Sequence, residues 1–157
     1  MKFEVLKMSE ELERKVYRGA IKVPYEHTAG AYVEKFITEI GKKHKIMGVK
    51  CPKCGRVFVP PKMVCFECFE KMEEWVEVGN QGTLEGFTVV SNYETPVMPL
   101  DLPYAYGIIK LDGADTGFIH IINEGDPQKL KVGSRVEAVF KEQPRKRILD
   151  IEYFKLI

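Results

Sequence analysis

In residues 28–45 (TAGAYVEKFITEIGKKHK) the apolar positions recur with helical spacing. Ala29, Val33, Phe36, Ile37 and Ile40 fall on one face of a 3.6-residue period, which predicts an amphipathic helix. Thr28 is placed to cap it, and Glu39 and Lys43 sit one turn apart with complementary charges. A shorter helix is predicted over 9–18 (SEELERKVYR), with Ser9 as N-cap and Glu10, Glu11 and Glu13 at the positive end of the helix dipole. Pro24 requires an extended connection between the two. The stripe of the longer helix has two readings. Either it packs on the chain's own core, or Val33, Phe36, Ile37 and Ile40 dock on a partner subunit. No second long helix precedes or follows to cover it, so the pattern leaves both open.

Beyond residue 46 the period shortens. Short β-like pieces at 47–50, 57–59 and 75–78 are separated by Pro- and Gly-containing turns. From residue 82 five β-rich runs follow, at 82–90, 104–111, 117–122, 135–142 and 147–156. Val136, Ala138 and Phe140 alternate with Arg135, Glu137 and Lys141, the pattern of a half-buried strand. Leu149, Ile151 and Tyr153 are expected to do the same against Asp150 and Glu152. Asp112-Gly113-Ala114-Asp115 reads as a hairpin turn between the second and third runs. Between the third and fourth, Asp126 followed by Pro127 suits one short helical turn. Five strands with a helical element after the third is the order of an OB-fold barrel, although periodicity alone leaves other small barrels open. The expected class is α+β and mainly β. Its parts are a helical leader over 1–46, a cysteine-bearing module over 47–78 and a barrel over 79–157.

Composition adds limits. The 157 residues fit one ordinary domain or two small ones. Residues 1–78 hold 15 Lys and Arg against 12 Asp and Glu, and residues 79–157 hold 9 against 11. Neither half is the strongly basic surface of a general nucleic-acid binder. No apolar run approaches the roughly 20 residues of a membrane span, and the first residues lack the apolar stretch of a signal peptide. A cytoplasmic location is expected, and there cysteines serve more often as metal ligands than as disulfides.

All four cysteines lie in one segment, spaced Cys51-x2-Cys54-x10-Cys65-x2-Cys68. Each CxxC is a tight knuckle that aims two thiolates at one point, and two knuckles complete a tetrahedron of sulfur. Zinc is the expected metal, one ion per chain, with iron in a rubredoxin-like site as its competitor. Four thiolates leave no coordination position for water or substrate, so the metal is expected to be structural. Gly55 follows the first pair, where a small residue relieves crowding, whereas Phe69 follows the second.

Little else points to catalysis. The metal takes every thiol. His27, His44 and His120 lie in no nucleophile motif, and His120, inside the run GFIHII, reads as structural. Phe87, Tyr93, Tyr104, Tyr106 and Phe118 are candidates to stack bases on a barrel face, or they are core and rim. Asp112 and Asp115 read as turn formers.

Taken together, "GVKCPKCGRVFVPPKMVCFEC", "EWVEVGNQGTLEGFTVV", "LPYAYGIIKLDGADTGFIHII" and "KVGSRVEAVFKE" resemble the zinc-ribbon/OB-fold family of acyl-CoA-associated proteins, long described as a domain of unknown function. The resemblance covers residues 28–157. It implies a helical leader, a rubredoxin-like zinc ribbon and a C-terminal OB-fold barrel. It further implies a non-catalytic partner of thiolase-superfamily enzymes, such as acetoacetyl-CoA thiolase with 3-hydroxy-3-methylglutaryl-CoA synthase, or sterol side-chain aldolases. The stretches "VPYEHTAGAYVEKF" and "LDGAD" look most like the small subunit of the thiolase that ends anaerobic toluene degradation through benzylsuccinate. With that family in view, the basic groups Lys53, Arg56, Arg145 and Arg147 are either solvated surface or contacts for the phosphates of coenzyme A. The reading is an accessory subunit, not catalytic alone, that helps assembly and acyl-CoA access. The alternatives are a stand-alone nucleic-acid-binding module and an independent acyl-CoA-binding protein or thioesterase.

Overall fold

The computed structural model describes residue 19 and residues 23–92, 101–126 and 128–157. The helix expected over 9–18, and Tyr93, lie outside these residues.

Helix α1 runs Ala31–Lys43. Thr28 does not cap it. Its hydroxyl accepts the Gly30 N–H at 3.2 Å, and Gly30 itself, at φ +76°, is the N-cap, with its carbonyl accepting the Glu34 N–H. Lys43 and Glu39 form the expected one-turn ion pair at 2.9 Å.

Three short strands, β1 (Ile46–Lys50), β2 (Val57–Phe58) and β3 (Glu74–Val78), form an antiparallel sheet in the order β2-β1-β3. Five more make a closed barrel: β4 (Gln81–Val90), β5 (Tyr104–Leu111), β6 (Gly117–Ile122), β7 (Arg135–Phe140) and β8 (Ile151–Leu156). They are ordered β4-β5-β6-β8-β7, with β7 returning to β4. Only β6 and β8 run parallel, Ile122 facing Phe154. This is the OB-fold topology. A register shift between Leu84 and Gly86 bends the long β4 so that it pairs with β5 on one side and β7 on the other. After β6 the chain makes one short turn capped by Asp126. The Lys129 N–H reaches the Asp126 carbonyl at 3.1 Å, and Asp126 Oδ1 accepts the Gln128 N–H, with no helix among the described residues there. No helix among the described residues is long and apolar enough to cross a membrane.

The docking role of the α1 stripe gives way to its own-core alternative. Phe36 is 2% exposed and Ile40 0%, and both share one apolar cluster with Ile109, Phe118, Val136 and Phe154 of the barrel. Phe36 meets Phe118 edge-on at 6.3 Å, and Ile37 is packed against the same cluster. Val33 alone of the four is exposed. The stripe's mate is a barrel far along the chain rather than a second helix.

The final strand also departs from the expected alternation. Residues Ile148–Asp150 form a 3-10 turn, and a register shift between Val139 and Phe140 follows it across the ladder. Asp150, Ile151 and Phe154 are therefore the buried positions, while Leu149 and Tyr153 are half-buried. The buried Asp150 carboxylate accepts the N–H groups of Arg145 at 2.8 Å and Arg147 at 3.1 Å. Gly41 of α1 lies directly over it: a Cβ there would stand 2.8 Å from Asp150 Oδ2. The helix approaches the barrel at this point because the position carries no side chain.

Replacing Asp150 with Ala should lower stability by about 1–3 kcal/mol, since a buried carboxyl and its two part-buried N–H bonds are lost. Denaturant unfolding measures it, and a loss under about 0.5 kcal/mol would mean that water takes over the acceptor role.

Candidate metal centre

The two CxxC segments fold into matched turns. In the first, the Gly55 N–H donates to the Cys51 carbonyl at 3.0 Å and the Cys51 N–H to the Arg56 carbonyl at 2.9 Å. In the second, the Phe69 N–H donates to the Cys65 carbonyl at 2.9 Å and the Cys65 N–H to the Glu70 carbonyl at 3.0 Å. Both turns need a left-handed residue after the second cysteine, Gly55 at φ +74° and Phe69 at φ +57°. Glycine adopts this conformation at no steric cost, whereas for phenylalanine it costs on the order of 1–2 kcal/mol.

These turns bring the Sγ atoms of Cys51, Cys54, Cys65 and Cys68 all within 4.8 Å of one another, with Cys54 and Cys65 at 3.9 Å. A tetrahedron with Zn–S bonds of about 2.3 Å has S–S edges near ~3.8 Å, so the cluster fits the ion. Cys51 and Cys65 are fully buried beside Val49, Phe58 and Met72. Donation from the Cys54 N–H, 3.5 Å from its sulfur, is the largest influence bringing the Cys51 thiol down to about 7. Burial, followed by the neighbouring thiols, pushes Cys68 up to about 12. Four thiols so crowded cannot all ionise unless a cation sits among them. Soft sulfur donors select zinc or iron, and four of them close the coordination shell.

Elsewhere the structure separates groups that the sequence offered together. Lys53 and Arg56 stand in the first knuckle and are paired with second-knuckle carboxylates, Lys53 with Glu70 at 3.9 Å and Arg56 with Glu67. Arg145 and Arg147 instead line an open groove of about 820 Å³ with Lys141, Glu142 and Glu152, where neither arginine makes an ion pair among the described residues. Tyr104 and Phe118 are buried in the barrel and offer no stacking face, and Phe87 is partly buried against the core.

His120 is buried between Phe118 and Phe154, with ring centroids at 5.5 and 5.6 Å. Its Nε2 lies 3.4 Å from the Ile148 carbonyl, and its Nδ1 has no hydrogen-bond partner among the described residues. Burial lowers its pKa below 6.5. Sequence reasoning also missed a clamp. Asp115 and Thr116, at the β5–β6 turn, grip β2 of the ribbon. The Val57 N–H donates to Asp115 Oδ2 at 2.8 Å, the Asp115 N–H to the Val57 carbonyl at 2.9 Å, and Thr116 Oγ1 bonds both the N–H and the carbonyl of Val59. An aspartate in a turn signals only the turn; its long-range partner leaves no local pattern.

The profile described as "ChsH2, rubredoxin-like zinc ribbon domain" matches residues 38–73, and "ChsH2, C-terminal OB-fold domain" matches residues 75–141. A "DUF35 domain-containing scaffold protein" of Methanocaldococcus jannaschii is 30% identical over 107 residues, 65% of this chain and 72% of its own length. The chain belongs to the DUF35 family. A scaffold protein of the same description from Methanothermobacter thermautotrophicus is 29% identical over 66% of this chain and 77% of its own. Among solved structures, a DUF35-family protein of unknown function from Sulfolobus solfataricus superposes with a TM-score of 0.59 at 26% identity, covering 81% of this chain and 84% of that one. A chain of the "Ltp2-ChsH2(DUF35) aldolase" shares the fold with a TM-score of 0.61 at 19% identity, covering 83% and 98%. The DUF35 ribbon thus carries a structural zinc on Cys51, Cys54, Cys65 and Cys68.

Replacing Cys54 with Ser should release the zinc and unfold the ribbon, because binding energy and folding energy are coupled in such sites. Metal analysis after gel filtration, alongside thermal unfolding, reports both. A variant that keeps one zinc per chain would show that three thiolates suffice.

A second prediction follows from His120. The folded protein disfavours the protonated ring, so the unfolded chain binds the extra proton as pH falls through 6.5. Stability should drop with acidification from that point relative to a His120→Gln variant, and the difference between the two should be flat above it. Parallel unfolding curves from pH 5 to 8 test this, and a constant difference across the range would refute it.

Proposed function

We propose that this chain is a zinc-stabilised accessory subunit of a thiolase-superfamily acyl-CoA enzyme, the barrel and ribbon together forming a scaffold on which the catalytic subunit is assembled. The observation that carries the reading is the closed four-thiolate centre in a chain whose relatives are described as scaffold proteins. A metal with no open position holds shape and offers nothing to a substrate. The aldolase in which a DUF35 chain of this fold accompanies Ltp2 supports a catalytic partner. Within that reading, acyl-CoA is the shared ligand, and Arg145 and Arg147 are its phosphate contacts, because both line an open groove and neither makes an ion pair among the described residues. Lys53 and Arg56 are poorer candidates, each held by a glutamate. The pathway we favour is the thiolytic end of anaerobic toluene degradation through benzylsuccinate, on the resemblance of the leader and of "LDGAD". A nucleic-acid role is disfavoured, since Tyr104 and Phe118 are consumed by the core.

Co-expression with a thiolase-superfamily catalytic subunit from the same organism tests the proposal. The two should co-elute in size exclusion, and the complex should bind coenzyme A about tenfold more weakly when Arg145 and Arg147 are both replaced with Ala, an effect of about 1.4 kcal/mol. A chain that runs alone beside that subunit would overturn the reading.

A further inference from the structure

The second zinc knuckle carries an unusual set of exposed side chains. Met63 is 58% exposed, Phe66 62% and Phe69 82%, with Val64 exposed beside them, so four apolar residues lie within one seven-residue stretch. Single exposed apolar residues are ordinary on protein surfaces, but several on one turn mark an interaction site. The backbone strengthens the case. Phe69 holds φ +57° at the position where the matching first-knuckle turn has Gly55. Folding alone favours glycine there. The phenyl ring, four-fifths exposed, gains almost nothing within the chain to offset its unfavourable conformation.

The surroundings narrow what covers the patch. Glu67 and Glu70, on the same turn, are bound to Arg56 and Lys53 of the first knuckle, and Lys71 pairs with Glu73. The tip is therefore apolar within a largely neutralised rim. Anionic lipid headgroups and nucleic-acid phosphates require an excess of free cations, and among the described residues of this rim Lys62 alone has no ion pair. A second copy of the chain is also a poor occupant. Four side chains on one turn bury at most a few hundred Å² per partner, well under the ~800 Å² that a stable self-association needs. The tip has to be one anchor of a larger interface.

The geometry points to the second knuckle as a docking anchor, with Phe69 inserted into an apolar socket on the catalytic subunit and Met63 and Phe66 packed around its rim. This rests on the accessory-subunit reading above and specifies the surface through which it works. Central, fully desolvated aromatics carry a disproportionate share of interface energy, and Phe69 is the side chain on this turn most free to be buried.

The test uses the full chain co-expressed with a thiolase-superfamily catalytic subunit from the same organism, comparing wild type, Phe69→Gly and Met63→Glu. Phe69→Gly should retain one zinc per chain and unfold at the same or a higher temperature, because glycine suits the left-handed turn. Its affinity for the catalytic subunit, measured by titration of the purified partners, should fall about tenfold or more. Met63→Glu should weaken the complex with Phe69 left in place. If wild type forms the complex and both variants bind as tightly, the knuckle is not the anchor, although the accessory role stands. If Phe69→Gly loses zinc or stability, the ring is structural and the proposal fails. If wild type alone sediments as a dimer that Phe69→Gly converts to monomer, a second copy covers the patch instead. If wild type forms no complex, both readings fall.

Discussion

Four sulfurs within 4.8 Å of one another are a constraint that no apolar packing can satisfy. The ribbon core around them consists of Val49, Phe58 and Met72 with the two buried cysteines, too little apolar surface to order its residues without a cation. Once the cation fixes the knuckles, β2 becomes a rigid edge. The hairpin residues Asp115 and Thr116 then hold that edge to the barrel through four hydrogen bonds. On the opposite side, Tyr32 Oη donates to the Met72 carbonyl at 2.6 Å and its ring lies against Trp75, tying α1 to the ribbon. The ribbon thus contacts both the helix and the barrel, which also pack directly on each other through Phe36 and Phe118.

Local signals were legible in the sequence to the extent that their causes are local. The CxxC spacing, the Asp112–Asp115 turn and the Tyr104–Leu111 and Gly117–Ile122 strands depend on neighbours within a few residues. What escaped depends on distant partners. The α1 stripe has a helical period whether its mate is a barrel or another protein, and only the fold puts Phe36 on Phe118. The register of β8 slips because Ile148–Asp150 winds into a 3-10 turn that brings an aspartate inward, where the backbone N–H groups of Arg145 and Arg147 are waiting. An alternation rule assigns aspartate to solvent and cannot foresee such an acceptor.

The barrel interior is filled by its own side chains. Leu84, Ile109, Phe118, Ile122, Val136 and Phe154, joined by Phe36 and Ile40 of α1, form one buried apolar cluster there. The closed metal shell and the filled barrel together push any interaction to the outside of the molecule. There the surface is uneven. Lys45 with Glu77, Lys155 with Glu137 and Arg135 with Asp112 lace the outer strands with paired charges. Among the described residues, the β7–β8 loop leaves Arg145 and Arg147 without an ion pair, and the second knuckle leaves aromatics exposed.

That unevenness has a physical meaning when the two knuckles are compared. They share the same backbone hydrogen bonds, a left-handed conformation at the same position and the same job of presenting two thiolates. A chain shaped by stability alone would place glycine in both. It does so in the first knuckle, whose flanking cations are tied to glutamates, and places a solvent-facing phenylalanine in the second. Departures from local preference that gain nothing within the fold concentrate where a protein meets something else. The same ribbon therefore serves two purposes: one half of its zinc site completes the fold, and the other half turns a strained aromatic outward.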